Sequence, residues 1–160
     1  MAIKSRRIGE QVDRNTLGRI RVANNSGVDI AAGDIVSVVG SSTSGGHLLV
    51  ELTDVSGVNV SLTGLKLVAD HAIANGSTGI VVEWAIVEMD TSGLVVGNEL
   101  CLDPANHGKV ELFSGTGAPP YAGQGTLSVY RRVVGQVLTV ATKGRILLAP
   151  SKTWAPMTDD

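Results

Sequence analysis

Glycine recurs at 20 of the 160 positions, and the stretches between glycines are short runs rich in Val, Leu and Ile. β-Branched residues suit strands, and glycine supplies the backbone freedom that tight reversals need. Such a chain is driven toward many short strands joined by turns. Only five residues are aromatic (Trp84, Phe113, Tyr121, Tyr130 and Trp154), so its core is aliphatic. Hydrophobic residues make up 43% and charged residues 18%, which excludes a highly charged, unfolded chain. At this length folding buries roughly two thirds of the surface an unfolded chain exposes, enough for a real core.

Turn signals divide the chain into an all-β pattern, a small β-barrel or β-sandwich of roughly 8 to 10 strands. Residues 1–18 show no sustained period and read as an extended arm, residues 19–149 as the barrel or sandwich domain, and residues 150–160 as a short C-terminal tail. Ile20 and Val22 alternate with Arg19 and Arg21 before the Asn24–Gly27 turn. Asp34–Val39 and His47–Thr53 form a hairpin around a glycine-rich loop. Asp54–Gly64 fits a weak strand or surface loop. Leu65–Ala74 reads as a short helical turn stopped by Asn75–Gly79. Ile80–Met89 reads as a long central strand buried on both faces. Lys109–Phe113 is a short strand, Ser114–Gln124 a binding or subunit-contact loop, and Thr126–Ala141 pairs with Arg145–Ala149 across Thr142–Gly144. Ile30–Val38 and Leu94–Leu102 share one device: an apolar residue, two small or apolar ones, Gly, an Asx, then an alternating strand. With only the glycine identical, this reads as a recurring turn within one domain and not as a solenoid repeat.

Charge is unevenly distributed. Residues 1–21 carry Lys4, Arg6, Arg7, Arg14, Arg19 and Arg21 against Glu10 and Asp13, a net of +4, while the other 139 residues carry 7 basic and 13 acidic groups, a net of -6. A basic segment on an acidic body is suited to an acidic partner surface or to nucleic acid. The segment has no aromatic residue for base stacking and the body would repel a duplex, so docking on a protein is favoured and direct nucleic-acid contact disfavoured.

The residues offer little catalytic chemistry. His47, His71 and His107 sit in separate settings without metal-ligand spacing and read as surface histidines. Most carboxylates lie in turns, where Asp bonds its own backbone. Cys101, the lone cysteine, alternates with Leu100 and Leu102 and reads as a buried hydrophobe; no disulfide framework is possible. Neither a nucleophile elbow nor a phosphate-binding loop occurs. Val87–Thr91 resembles the hairpin of lipoyl and biotinyl carrier domains, but Thr91 stands where the modified lysine belongs. No enzyme, metal or cofactor is expected. No apolar run approaches the roughly 18 residues of a membrane helix, and the charged start lacks a secretory apolar segment, so a chain made to stay in the cytosol is expected.

The succession Val22–Val38, Ile73–Val82, Met89–Leu102 and Val134–Leu148 resembles small β-barrel virion proteins of tailed bacteriophages, including capsid decoration (cement) proteins and related tail-fibre modules. The resemblance spans roughly residues 20–149. It implies a non-enzymatic protein on the capsid exterior, bound to the major capsid protein, often as a homotrimer, that strengthens the shell. From the charge pattern we expect Lys4, Arg6, Arg7, Arg14, Arg19 and Arg21 to contact the capsid. Pro119, Pro120 and Tyr121, together with Trp154 in the tail, are expected at subunit contacts, because exposed apolar groups in a water-soluble chain are best covered by another copy. The alternative use of such a barrel is a tail-fibre or receptor-binding module, with the arm as connector. A barrel-type enzyme would instead need a pocket with converging polar groups.

Overall fold

The computed structural model describes residues 18–41, 45–54, 65–113 and 133–150. Ten strands occur among them: β1 (Arg19–Asn24), β2 (Ile35–Ser41), β3 (Leu48–Leu52), β4 (Lys66–Ala69), β5 (Thr78–Val82), β6 (Ala85–Met89), β7 (Glu99–Leu102), β8 (Val110–Leu112), β9 (Val133–Thr139) and β10 (Gly144–Leu148). The all-β expectation holds. The first five strands close into a barrel in the order β1-β3-β2-β4-β5, and the last five form a sheet in the order β6-β10-β9-β7-β8.

Alternation explains how one strand serves two cores. Val36 on β2, Leu67 on β4 and Val81 on β5 fill the barrel interior with Val22, Ile30, Val50, Ala69 and Ile73. Their neighbours point the other way: Ile35 and Val68 pack with Leu100, Leu102, Val134, Val137, Ile146 and Leu148 of the second sheet, and half-buried Val82 lies against them. Because side chains alternate with period 2, a one-residue slip in β2 or β4 would exchange the two sets and spoil both cores.

Read from its other end, the second sheet runs β8-β7-β9-β10-β6, which repeats the barrel's β3-β2-β4-β5-β1 with every pair antiparallel in both. Individual bonds repeat as well. Gly33 N–H donates to Ala69 O and Ala69 N–H to Asp34 O, both at 2.8 Å, while Gly97 N–H donates to Val137 O and Val137 N–H to Asn98 O, both at 2.9 Å. Each pair of bonds follows a four-residue turn with glycine third, at φ +83° for Gly33 and +90° for Gly97. In each, an Asx oxygen accepts from the first residue: Ala31 N–H to Asp34 at 2.9 Å and Val95 N–H to Asn98 at 2.8 Å. The turn motif recognised in the sequence therefore marks the same place in two five-strand sheets that share one strand order.

The two sheets differ at one seam. The barrel closes because β1 pairs in parallel with β3, Val22 to Leu48 and Asn24 to Val50. The corresponding strands β6 and β8 share no ladder. A cleft of about 190 Å³ lies between them, lined by Val87 and Met89 on one side and Gly108, Lys109 and Val110 on the other, and the barrel's Ala32-Gly33-Asp34 turn enters it. Ile35 N–H donates to Gly108 O at 2.8 Å, tying the start of β2 to the approach to β8. The barrel thus plugs the opening in its own sister sheet.

Two sequence expectations are corrected. Leu65–Ala74 contains no helical turn: Lys66–Ala69 is strand β4, buried at all four positions, because Leu67 and Val68 are claimed by opposite cores. Ile80–Met89 is not one central strand. It breaks at Glu83–Trp84, where the chain passes from barrel to second sheet, and β6 is that sheet's edge, with Ile86 54% exposed. The weak segment Asp54–Gly64 and the Ser114–Gln124 loop fall almost wholly outside the described residues.

Candidate functional site

Of the six cations expected at a partner surface, Lys4, Arg6, Arg7 and Arg14 lie outside the described residues, as do Pro119, Pro120, Tyr121 and Trp154. Arg19 and Arg21 are described. Both alternate with Ile20 and Val22, whose side chains turn inward, so both point out from β1 and are exposed. Arg19 pairs with Asp70 at 3.1 Å, the two side chains 58% and 37% exposed. A pair so open to water contributes about 0–1 kcal/mol, so it orients Arg19 more than it stabilises the barrel.

Sequence reasoning missed what surrounds Arg19. A cleft of about 340 Å³ is lined by Gly18, Arg19, Asp70 and Glu83 together with Trp84, Ala85 and Ile86. Trp84 is 55% exposed and Ile86 nearly as much. Glu83 N–H donates to Gly18 O at 3.1 Å, fixing the point where the N-terminal segment joins the body. A tryptophan and an isoleucine left half in water beside a cation and two carboxylates have the composition of a contact surface, not of a core. The signal was present in the sequence: Glu83 interrupts the apolar run, and a charge there cannot sit in a strand buried on both faces.

Other candidates have structural roles. His71 Nε2 accepts the Ile80 N–H at 3.0 Å and Nδ1 lies 2.9 Å from Ala72 O, an arrangement satisfied by the Nδ1–H tautomer and one that ties a loop to β5. His107 is 3.2 Å from Asp54. Cys101 is buried. Thr91 is fully buried and its hydroxyl lies 2.7 Å from Thr139 O, so the position where a carrier domain displays lysine is here an internal tie. Among the described residues no group of three or more His, Cys, Asp or Glu is placed to hold a metal, and no helix is long and apolar enough to cross a membrane.

Two carboxylates have clearly shifted titration. Asp90 is held below the usual carboxylate range by the Ser92 hydroxyl and then the Ser92 N–H. At Asp103 partial burial pushes upward, but bonds from the Asn106 side chain and the Ala105 and Asn106 backbones outweigh it and the net shift is downward. Both are turn residues, as Asp in turns leads one to expect.

The chain was compared with known proteins. No family model, no curated protein and no solved structure matches it. The surface around Arg19 and Trp84 therefore has to be interpreted from its own chemistry: exposed cations and apolar groups at the root of a basic segment, on a rigid barrel.

Proposed function

We propose that the chain is a structural protein of a tailed-phage virion, a capsid decoration protein that binds the outside of the head and stabilises the shell. The observation that carries this reading is the placement of Arg19 and Arg21 on the outer face of β1, at the end of a 21-residue segment with net charge +4, with Arg19 sharing a cleft with exposed Trp84 and Ile86. Such a surface suits an acidic partner with apolar ground between its charges. The resemblance of the turn-and-strand succession to phage decoration proteins supports the same reading. The major capsid protein is the partner, and a homotrimer the assembly. Many weak contacts repeated over a shell give firm attachment through avidity, with no single tight site required.

The test is co-sedimentation with undecorated heads of the phage that encodes the chain, using the full protein and a variant with Arg6→Glu and Arg7→Glu. Saturable binding by the parent, weakened by the variant and by added salt, is the expected result. Binding to tails or host cells with none to heads would replace this reading with the tail-fibre or receptor-binding module.

A further inference from the structure

The cleft between β1 and β6 holds one charge that no described residue answers. Of its three ionised side chains, Arg19 and Asp70 pair with each other at 3.1 Å, and Glu83 is left over. Glu83 and Trp84 sit at the break between β5 and β6, so they escape strand alternation and both line the cleft. Glu83 is half-buried, and its side chain runs beside Gly18, where a Cβ would meet Glu83 Cγ at 3.5 Å. Among the described residues no ion pair or hydrogen bond engages the Glu83 carboxylate or the Trp84 indole N–H. One cation against two carboxylates leaves the cleft with a net charge of -1, although the β1 face beside it is basic.

The walls decide which cation fits. A metal ion needs several oxygen ligands, and here one carboxylate stands free among an indole ring and the aliphatic side chains of Val82, Ala85 and Ile86. An aromatic face beside a carboxylate suits a flat organic cation: a guanidinium stacks on the ring and gives two parallel N–H bonds to the carboxylate, and its methylene stem covers apolar wall. We infer that the cleft is a socket for an arginine side chain presented by a partner protein, with the guanidinium between Trp84 and Glu83 and the stem against Ile86. Asp70 offsets the charge of Arg19, so the incoming cation meets an attractive site. Arg21 does not line the cleft, so the basic face and the socket read different charges on a partner. The inference rests on the cleft alone and not on the decoration reading.

The test needs no shell, so its outcome is separate from that of the decoration reading. The full chain is titrated with an acetylated, amidated Gly-Arg-Gly tripeptide at about 0.15 M salt, and the NMR signals of the Trp84 indole N–H and the Ile86 amide are followed. The controls are the same tripeptide with citrulline, which keeps the shape of arginine without its charge, and the Glu83→Gln chain, which keeps the bond from residue 83 N–H to Gly18 O. Saturable shifts at both signals are expected, with a Kd of about 1 mM that weakens about tenfold for citrulline and for Glu83→Gln. No response to the arginine peptide at about 20 mM, a concentration well above that Kd, would overturn the proposal. So would equal binding of the two peptides or of the two proteins. A stronger response to Gly-Glu-Gly would also overturn it, because Arg19 would then be the recognising group.

Discussion

The carboxylate of Asp34, nearly buried, bonds Lys109 across the seam between the barrel and the second sheet. Its other oxygen accepts the Ala31 N–H, so one side chain both closes the plug turn and fastens it in place. Lys109 is half exposed and its loss can be compensated by water, whereas loss of Asp34 also orphans a turn donor. Lys109→Met should lower stability by about 1 kcal/mol and Asp34→Ala by about 2–3 kcal/mol, measured by urea unfolding; equal losses would show that the ion pair alone matters.

The two turns allow a matched comparison. Gly33 and Gly97 share a positive φ, so Ala at either is strained by about 1 kcal/mol or more. At Gly97 the new methyl would meet only Gln136 at 3.8 Å, while at Gly33 it would meet Val87 at 2.6 Å inside the seam. Gly33→Ala should therefore be the worse by about 1–3 kcal/mol, the cost of overpacking. Thermal melts of the two variants decide it.

Thr91 replaces hydrogen bonds that its sheet does not provide. Its hydroxyl lies between Thr139 O, Ala141 O and Ala141 N–H, at 2.7, 3.2 and 3.1 Å. Thr91→Val keeps the shape and strips the donor and acceptor, taking a partly buried side-chain bond from each of Thr139 O and Ala141 N–H. A loss of about 1–3 kcal/mol is expected, with Thr91→Ser recovering most of it.

Acid should weaken the fold through the turns of the second sheet. Asp90 and Asp103 both have pKa values lowered by folding. Their contribution is complete above the unfolded carboxylate value of about 4 and is lost as pH falls through the lower folded values. The melting temperature should drop from about pH 5 downward, and the drop should shrink in a double variant with Asp90→Asn and Asp103→Asn.

The strands that could be recognised in the sequence were those with local punctuation. Arg19–Asn24 alternates and ends in an Asn-rich turn, and Val133–Thr139 with Gly144–Leu148 brackets an obvious reversal; both were legible. Lys66–Ala69 was not, since four residues carry no period and their strand state is imposed by β2 and β5 on either side. The break at Glu83–Trp84 was written in the charge of Glu83 but obscured by the apolar residues around it. The exposure of Ile86 could not be read from sequence, because it depends on β6 having no second neighbour among the described residues, a fact of topology. The outward direction of Arg19 and Arg21 could be read from sequence, because they alternate with inward-facing Ile20 and Val22.

The plug at the seam implies an order of events during synthesis. All five strands of the barrel precede Ala85, so this half can close before the second half has left the ribosome, as N-terminal units commonly do. Among the described residues of the later half no strand seals β6 to β8, so this half assembles around a turn that the earlier half has already shaped. One half is thus the mould for the other. Breaks in the chain before Glu83 should stop both halves from folding, whereas termination near Trp84 should still release a compact barrel.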